Sequence, residues 1–188
     1  YTTVADMERV SAFVKEKYGY DTGSFTEFPA DESNVKVLAR LDWNINNDHK
    51  LALRYNYTNN TSWKGPNASS MDGGTRSAYA RTSLYSMAFA NNMYSMNNLV
   101  HSVSLDLNSR LSDNLSNQFL ATFSKLDDVR GTNSDMFPHI DILDGTGTTT
   151  NYMSLGYELF TWNNGVHNTH VSIKDDMTLY AGNHKLTA

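Results

Sequence analysis

The sequence predicts a mainly β chain: an antiparallel up-and-down meander with long loops and one N-terminal helix. Three observations predict it. Apolar and polar residues alternate over long stretches, such as "VKVLARLDWNI" from Val35. Tight polar turns join such stretches in pairs. Connections of some forty residues rich in Asn, Ser, Gly and Tyr separate the pairs. Alternation at a period of two marks a strand with two unlike faces.

Composition agrees. Hydrophobic residues are 39% and charged residues 19% of the 188, both low for a soluble globular domain. Aromatics reach 12%, with 11 Tyr, which argues against disorder. The formal net charge of −5 argues against a general nucleic-acid partner. Cysteine is absent, so there is neither a disulfide nor a thiolate metal site. No apolar run approaches the length of a membrane helix, a test to which barrel strands are invisible. The chain has no initiating Met and stops inside an alternating run, so a piece of something longer is expected.

Residues 1–34 are expected as a loop segment with a short helix. Val4, Met7, Val10, Phe13 and Val14 recur at helical spacing. Thr3 and Asp6 form a capping-box signature, and Gly19 is the stop. Residues 35–188 are expected as barrel-type strands in hairpins 35–57, 99–126 and 169–188, with long loops 58–98 and 127–168. In the first hairpin Val35, Val37, Ala39, Leu41, Trp43 and Ile45 share a face opposite Lys36, Arg40, Asp42 and Asn44. Leu51, Leu53, Tyr55 and Tyr57 repeat the pattern after Asn46–His49. That turn is expected to use positive φ, which Asn and Asp tolerate. His101, Val103, Leu105 and Leu107 carry the pattern into the second hairpin, with Phe119, Ala121 and Phe123 after the turn at Ser112-Asp113-Asn114. Val171, Ile173, Met177 and Leu179 open the third, with Asp175 intruding on the apolar side, as at a bulge. Local strand is also expected within Ser83–Phe89.

The rhythm of short turn and long loop is that of a transmembrane β-barrel, with short periplasmic turns and long extracellular loops. On this reading Val37, Leu41, Leu53, Val103, Leu105, Phe119, Phe123 and Ile173 face lipid. Arg40, Asp42, Arg54, Asp106 and Lys174 face the lumen. Trp43 and Tyr180 lie near short turns, and Tyr55, Tyr57 and Phe123 near long loops, as two aromatic girdles require. The alternative is a soluble extracellular β-sandwich that binds glycans or peptides. Its strands would be shorter and its apolar face hidden.

Sites for chemistry are weak. His167 and His170 form His-x-x-His, but in a strand this odd spacing puts them on opposite faces. Asp141, Asp144 and Gly145 miss the calcium-loop pattern, and Asp144-Gly145 reads chiefly as a turn. The glycine-rich stretches lack a P-loop Lys, and no Ser occupies a nucleophile elbow. Asn56, Asn59, Asn60 and Asn67 fit Asn-x-Ser/Thr and read as loop composition. An enzyme is not expected, nor a catalytic residue, a metal or a cofactor. The loop aromatics Trp63, Tyr79, Tyr85, Tyr94, Tyr157 and Trp162 are the candidate ligand contacts. The plainer reading, in which long loops pack on one another through such residues, carries more weight.

The stretches "ADESNVKVLARLDWNINNDHKLALRYNY", "SMAFANNMYSMNNLVHSVSLDLNSRLSDNLSNQFLATFS", "FPHIDIL" and "LGYELFTWNN" resemble the barrel of TonB-dependent outer-membrane receptors of Bacteroidota. The likeness is strongest to the Oar-like branch that carries a carboxypeptidase-regulatory-like domain. It runs from Thr3 to Ala188. It implies a barrel of about 22 strands around a folded plug, in the bacterial outer membrane, taking up a small nutrient with energy relayed by TonB. The partners it implies are the plug and the rest of the barrel, TonB through the full-length receptor, outer-membrane lipid and an unknown small ligand. This chain departs from the whole receptor, with no plug, no TonB-contacting segment and too few strands to close. Alone it is not expected to transport.

Overall fold

A computed structural model describes residues 1–67, 80–81, 83–146 and 150–188. Strands account for 55% of it. Helix α1 (Val4–Tyr18) opens the chain, and among the described residues nine strands follow. They are β1 (Ser33–Asn44), β2 (His49–Lys64), β3 (Met87–Ala88), β4 (Tyr94–Arg110), β5 (Leu115–Gly131), β6 (Ile140–Leu143), β7 (Asn151–Leu155), β8 (Gly165–Ala181) and β9 (His184–Thr187). One sheet has the order β1-β2-β4-β5-β8-β9, a meander in which chain neighbours are sheet neighbours; the other has the order β3-β7-β6. The contacts divide the chain into two units.

The first unit, Asn34–Asn60, Asn98–Asp128 and Val166–Ala188, holds strand bodies and short turns. Its turns close by backbone hydrogen bonds: Ile45 N to His49 O at 3.0 Å, and Leu111 N to Leu115 O at 2.8 Å. The expected positive φ at Asn46–His49 is absent, because the Asn46 side chain does the work instead. Its Oδ1 accepts from Asp48 N and His49 N at 2.9 and 2.8 Å, an Asx turn. Among the described residues only Asn163 is a non-glycine at positive φ. Gly182 at φ 59° does serve the third turn. The turns sit side by side, since Arg110 N donates to Asp48 O and Tyr180 N to Asn114 O, both at 2.8 Å.

The strands are longer than alternation predicts. β2 runs seven residues past Tyr57, β4 begins five residues before Leu99, and β5 reaches Gly131. These extensions are rich in Asn, Ser and Thr on both faces, which pair as strands but show no period. Trp63 and Tyr94, expected in loops, therefore lie at strand ends. The expected bulge at Asp175 is not needed either. β8 is unbroken, and Asn117 Nδ2 donates to Asp175 Oδ1 at 2.6 Å on the same face.

The second unit is Tyr1–Ser33, Thr61–Asn97 and Val129–Gly165. Helix α1 starts where Thr3 Oγ1 accepts from Asp6 N at 3.2 Å and ends at Gly19, φ 69°. Tyr152 completes the cap: its hydroxyl accepts from Thr3 N and donates to Asp6. Met7 and Val14 of the helix pack with Tyr20, Phe89, Met153 and Leu155 into a core. In the small sheet β3 runs parallel to β7, and β6 antiparallel to it. Each side chain so buried contributes roughly 1.5–3 kcal/mol. The connections thus pack by their own side chains, with Phe89 fully buried.

Gly156 closes this sheet at φ 95°, and a Cβ there would lie 2.0 Å from Pro138 O. Gly156→Ala should cost at least about 2 kcal/mol. Hydrogen exchange of β6 and β7 amides should then rise about thirtyfold, while β4 and β5 amides near the short turns stay protected. Unchanged exchange in β7 would mean that the close approach is not maintained.

Candidate functional site

Strand geometry assigns each side chain of the first unit to one of two faces. The odd-numbered face carries the expected lipid-facing residues. Leu41 is 64%, Val103 45%, Phe123 47% and Ile173 69% exposed, values far too high for a soluble core. Val37 and Leu53 are exposed as well, and Leu105 and Phe119 partly so. The even-numbered face is polar and cross-linked. Ser102 Oγ meets Ser124 Oγ at 2.8 Å, Asn98 Nδ2 donates to Asp128 at 2.6 Å, and Gln118 Nε2 to Asp106 at 3.1 Å. Arg40 pairs with Asp42 at 2.7 Å, Arg54 approaches Asp106 at 3.9 Å, and Lys174 pairs with Asp176. Near the short turns this face forms a polar concavity of about 580 Å³, with Lys50, Arg110, Gln118, Asp176 and Lys185 in its lining.

The apolar band has polar borders. Toward the short turns His49 Nδ1 bonds Ser109 Oγ at 2.9 Å, and Asn117 bonds Asp175. Toward the long connections Tyr57 packs on His101 with centroids 5.2 Å apart. Eight residues of β2 separate His49 from Tyr57, about 26 Å along the strand. A tilt of roughly 40° reduces that to about 20 Å, close to the outward apolar band of a bacterial barrel, about 25 Å.

The second unit holds two buried polar clusters that alternation could not reveal. Arg81, nearly buried, gives two nitrogens to Asp141, with Nη2 to Oδ2 at 2.6 Å and Nε to Oδ1 at 2.8 Å. Ser154 Oγ donates to the same carboxylate at 2.7 Å, and His139 Nε2 approaches it at 3.2 Å. Asn92 Nδ2 bonds His139 Nδ1 at 3.0 Å and Gly156 O at 2.8 Å. Burial opposes ionisation of Asp141, but the hydrogen bonds from His139, Arg81 and Ser154 outweigh it. They hold its carboxyl well below the usual range. The serine and the histidine both engage the aspartate rather than each other, so no activated nucleophile results. Asp141 is thus an anchor between segments 60 residues apart, not the cation ligand its sequence context raised. Asp144 instead caps Thr146. Among the described residues no group of three or more His, Asp and Glu is placed to hold a metal ion.

In the second cluster Glu158, fully buried, accepts from Thr161 Oγ1 at 2.6 Å and Phe160 N at 3.1 Å. Arg130 lies 3.6 Å from it and stacks over Tyr94, 4.3 Å from the ring centroid. This pins the turn that carries Trp162. The candidate ligand aromatics therefore differ. Trp162 is 70% exposed and meets Tyr157 edge to face at 6.4 Å. Tyr85 is exposed beside Tyr1. Tyr94 is taken up by Arg130, Trp63 is partly buried in β2, and Tyr79 lies outside the described residues. Among the described residues the structure brings together Tyr157 and Trp162 only.

A family model described as an outer membrane beta-barrel domain matches residues 12–188, all but the first eleven. Among curated proteins no match is found. Among solved structures there is none either.

Asp141→Ala leaves the Arg81 guanidinium buried with one partner fewer and should cost about 3 kcal/mol. The acid dependence has a definite sign. The folded carboxyl titrates lower than in the unfolded chain, so its contribution is complete above about pH 4 and fades as pH falls below that. Exchange protection of β6 should follow that course, and Asp141→Asn should abolish it. An identical acid profile in the variant would contradict the anchor.

Proposed function

The chain belongs to the outer membrane beta-barrel domain family and so to the bacterial outer membrane, and we propose that it is one arc of the barrel of a TonB-dependent receptor. The soluble β-sandwich falls with that membership, and its apolar face would have been hidden. One observation carries the arc. The six-stranded sheet has two edges, β1 and β9, and a strand in hydrocarbon cannot leave its backbone groups unpaired. Barrels close at about eight strands or more. The missing strands are therefore supplied by the rest of the same receptor, and the polar even face lies toward its lumen and plug.

The finer reading, of energy-coupled uptake by a Bacteroidota receptor, is supported by the sequence likeness to Oar-like barrels. The role assigned to this chain is structural and permissive: it walls the lumen and carries extracellular connections, with no catalytic step. Tyr157 and Trp162 are the aromatics in place to meet a small ligand. The Tyr85 ring is more open than that of Tyr157 and lies beside Tyr1. Two experiments test the proposal. Leu53→Arg, placed in the full-length barrel, should cost about 2–4 kcal/mol of folding into lipid vesicles if the residue lies near mid-bilayer. The neighbour on the opposite face, Arg54→Leu, should cost much less. Equal effects would contradict the face assignment. Separately, site-specific crosslinking of the full-length protein to TonB should give an adduct that increases with ligand. A closed barrel that never captures TonB would remove the receptor reading and leave the barrel.

A further inference from the structure

The turn between β7 and β8 carries an aromatic corner that lies open and free of charge. Trp162 presents its ring to solvent at 70% exposure, and Tyr157 stands edge-on to it with centroids 6.4 Å apart. Asn163 follows at φ 50°, a left-handed conformation uncommon outside glycine. Its side chain is exposed and makes no hydrogen bond among the described residues. The corner is tied from beneath. Thr161 N donates to Glu158 O at 3.1 Å, Asn164 N to Thr161 O at 3.3 Å, and Arg130 N to Asn164 O at 3.0 Å. Asn164 Nδ2 closes on Phe160 O at 2.8 Å. From Gly145 to Val166 the one charged side chain is Glu158, and it is buried beside Arg130.

We propose that Tyr157, Trp162 and Asn163 form a subsite for one ring of a neutral carbohydrate. The axial C–H face of a pyranose is apolar and flat enough to stack on an open indole, while its rim carries hydroxyls. Each hydroxyl both donates and accepts, and the Asn163 amide, next in the chain to the indole, offers both functions in one plane. Tyr157 supplies the wall of the corner. Other occupants meet specific obstacles. An ion would find no exposed partner of opposite charge on this turn. A peptide binding as an added strand needs a row of unpaired backbone groups, and this turn spends most of its own internally. A stable protein partner buries roughly 800 Å² of each surface, several times what one Trp offers. The bonds beneath the turn hold the indole in place before the sugar arrives, which lowers the ordering cost of binding. The inference rests on the receptor reading, which sets this turn in an extracellular connection, and names the class of the receptor's ligand.

The test uses the full-length receptor in detergent micelles and saturation-transfer NMR. The probes are maltohexaose, cellohexaose and mannohexaose, an acidic oligogalacturonate, and a neutral Ser-Gly hexapeptide. The wild type should saturate at least one of the neutral sugars, most strongly at the C–H protons of one ring face. Added salt should leave that binding unchanged. Trp162→Ala should weaken it about tenfold, and Trp162→Phe much less. Asn163→Gly suits the left-handed backbone, so the turn keeps its fold. It should still weaken sugar binding about fivefold, through the lost amide alone. Saturation of none of the neutral sugars, stronger binding of the oligogalacturonate or the peptide, or full binding in Trp162→Ala would overturn the subsite and leave these rings as packing between connections. Failure of the receptor reading shows separately, as a closed barrel that never captures TonB. A barrel that captures TonB yet saturates no neutral sugar marks failure of the subsite alone.

Discussion

A strand crossing hydrocarbon must satisfy every backbone amide and carbonyl within the protein. The rest of this structure follows from that constraint. It dictates a meander in which each strand pairs with its chain neighbour, as in the order β1-β2-β4-β5-β8-β9. It makes the side chains alone responsible for the two environments, so polarity alternates with the pleat. It also explains why the apolar face is uncovered. Leu41, Val103, Phe123 and Ile173 are exposed because their proper neighbour is lipid, not a second protein layer.

The even face shows how polar residues are held when the barrel interior surrounds them. The Ser102–Ser124 pair, amide–carboxylate bonds and the approach of Arg54 to Asp106 link neighbouring strands. Exposed pairs of this kind add little to stability individually. Their use is to keep a polar wall ordered. The connections meet a different demand. They stand in water, so they bury an ordinary core around Met7, Phe89, Met153 and Leu155. Buried charges fasten them, Arg81 to Asp141 and Arg130 beside Glu158.

What could be read in the sequence follows the same division. The period-two faces, the three tight turns and the capped helix are local patterns, and each was legible. Strand ends were not, because stretches such as Thr58–Ser62 are polar on both faces and have no period to read. In the small sheet β3 falls within the local strand expected at Ser83–Phe89, but β6 and β7 were hidden for another reason: they are four and five residues long and pair across distant segments. Arg81 and Asp141 carry no local sign of each other. Asp175 looked like a defect in an apolar row until Asn117 was placed beside it. Among the aromatics, exposure could not be foreseen, since Trp162 and Tyr94 differ only in what their neighbours do.

This chain has no cysteine of its own to compete for a label, which suits it to a cysteine scan. Single cysteines placed in turn along Leu51–Tyr57 and Ser102–Asn108 of the full-length barrel in vesicles would carry a fluorescent label. A lipid-soluble quencher and an aqueous one would then be compared position by position. Strict alternation is expected, with odd positions quenched from lipid and even positions from water. Quenching without a two-residue period, or lipid quenching at Arg54 and Asp106, would contradict it.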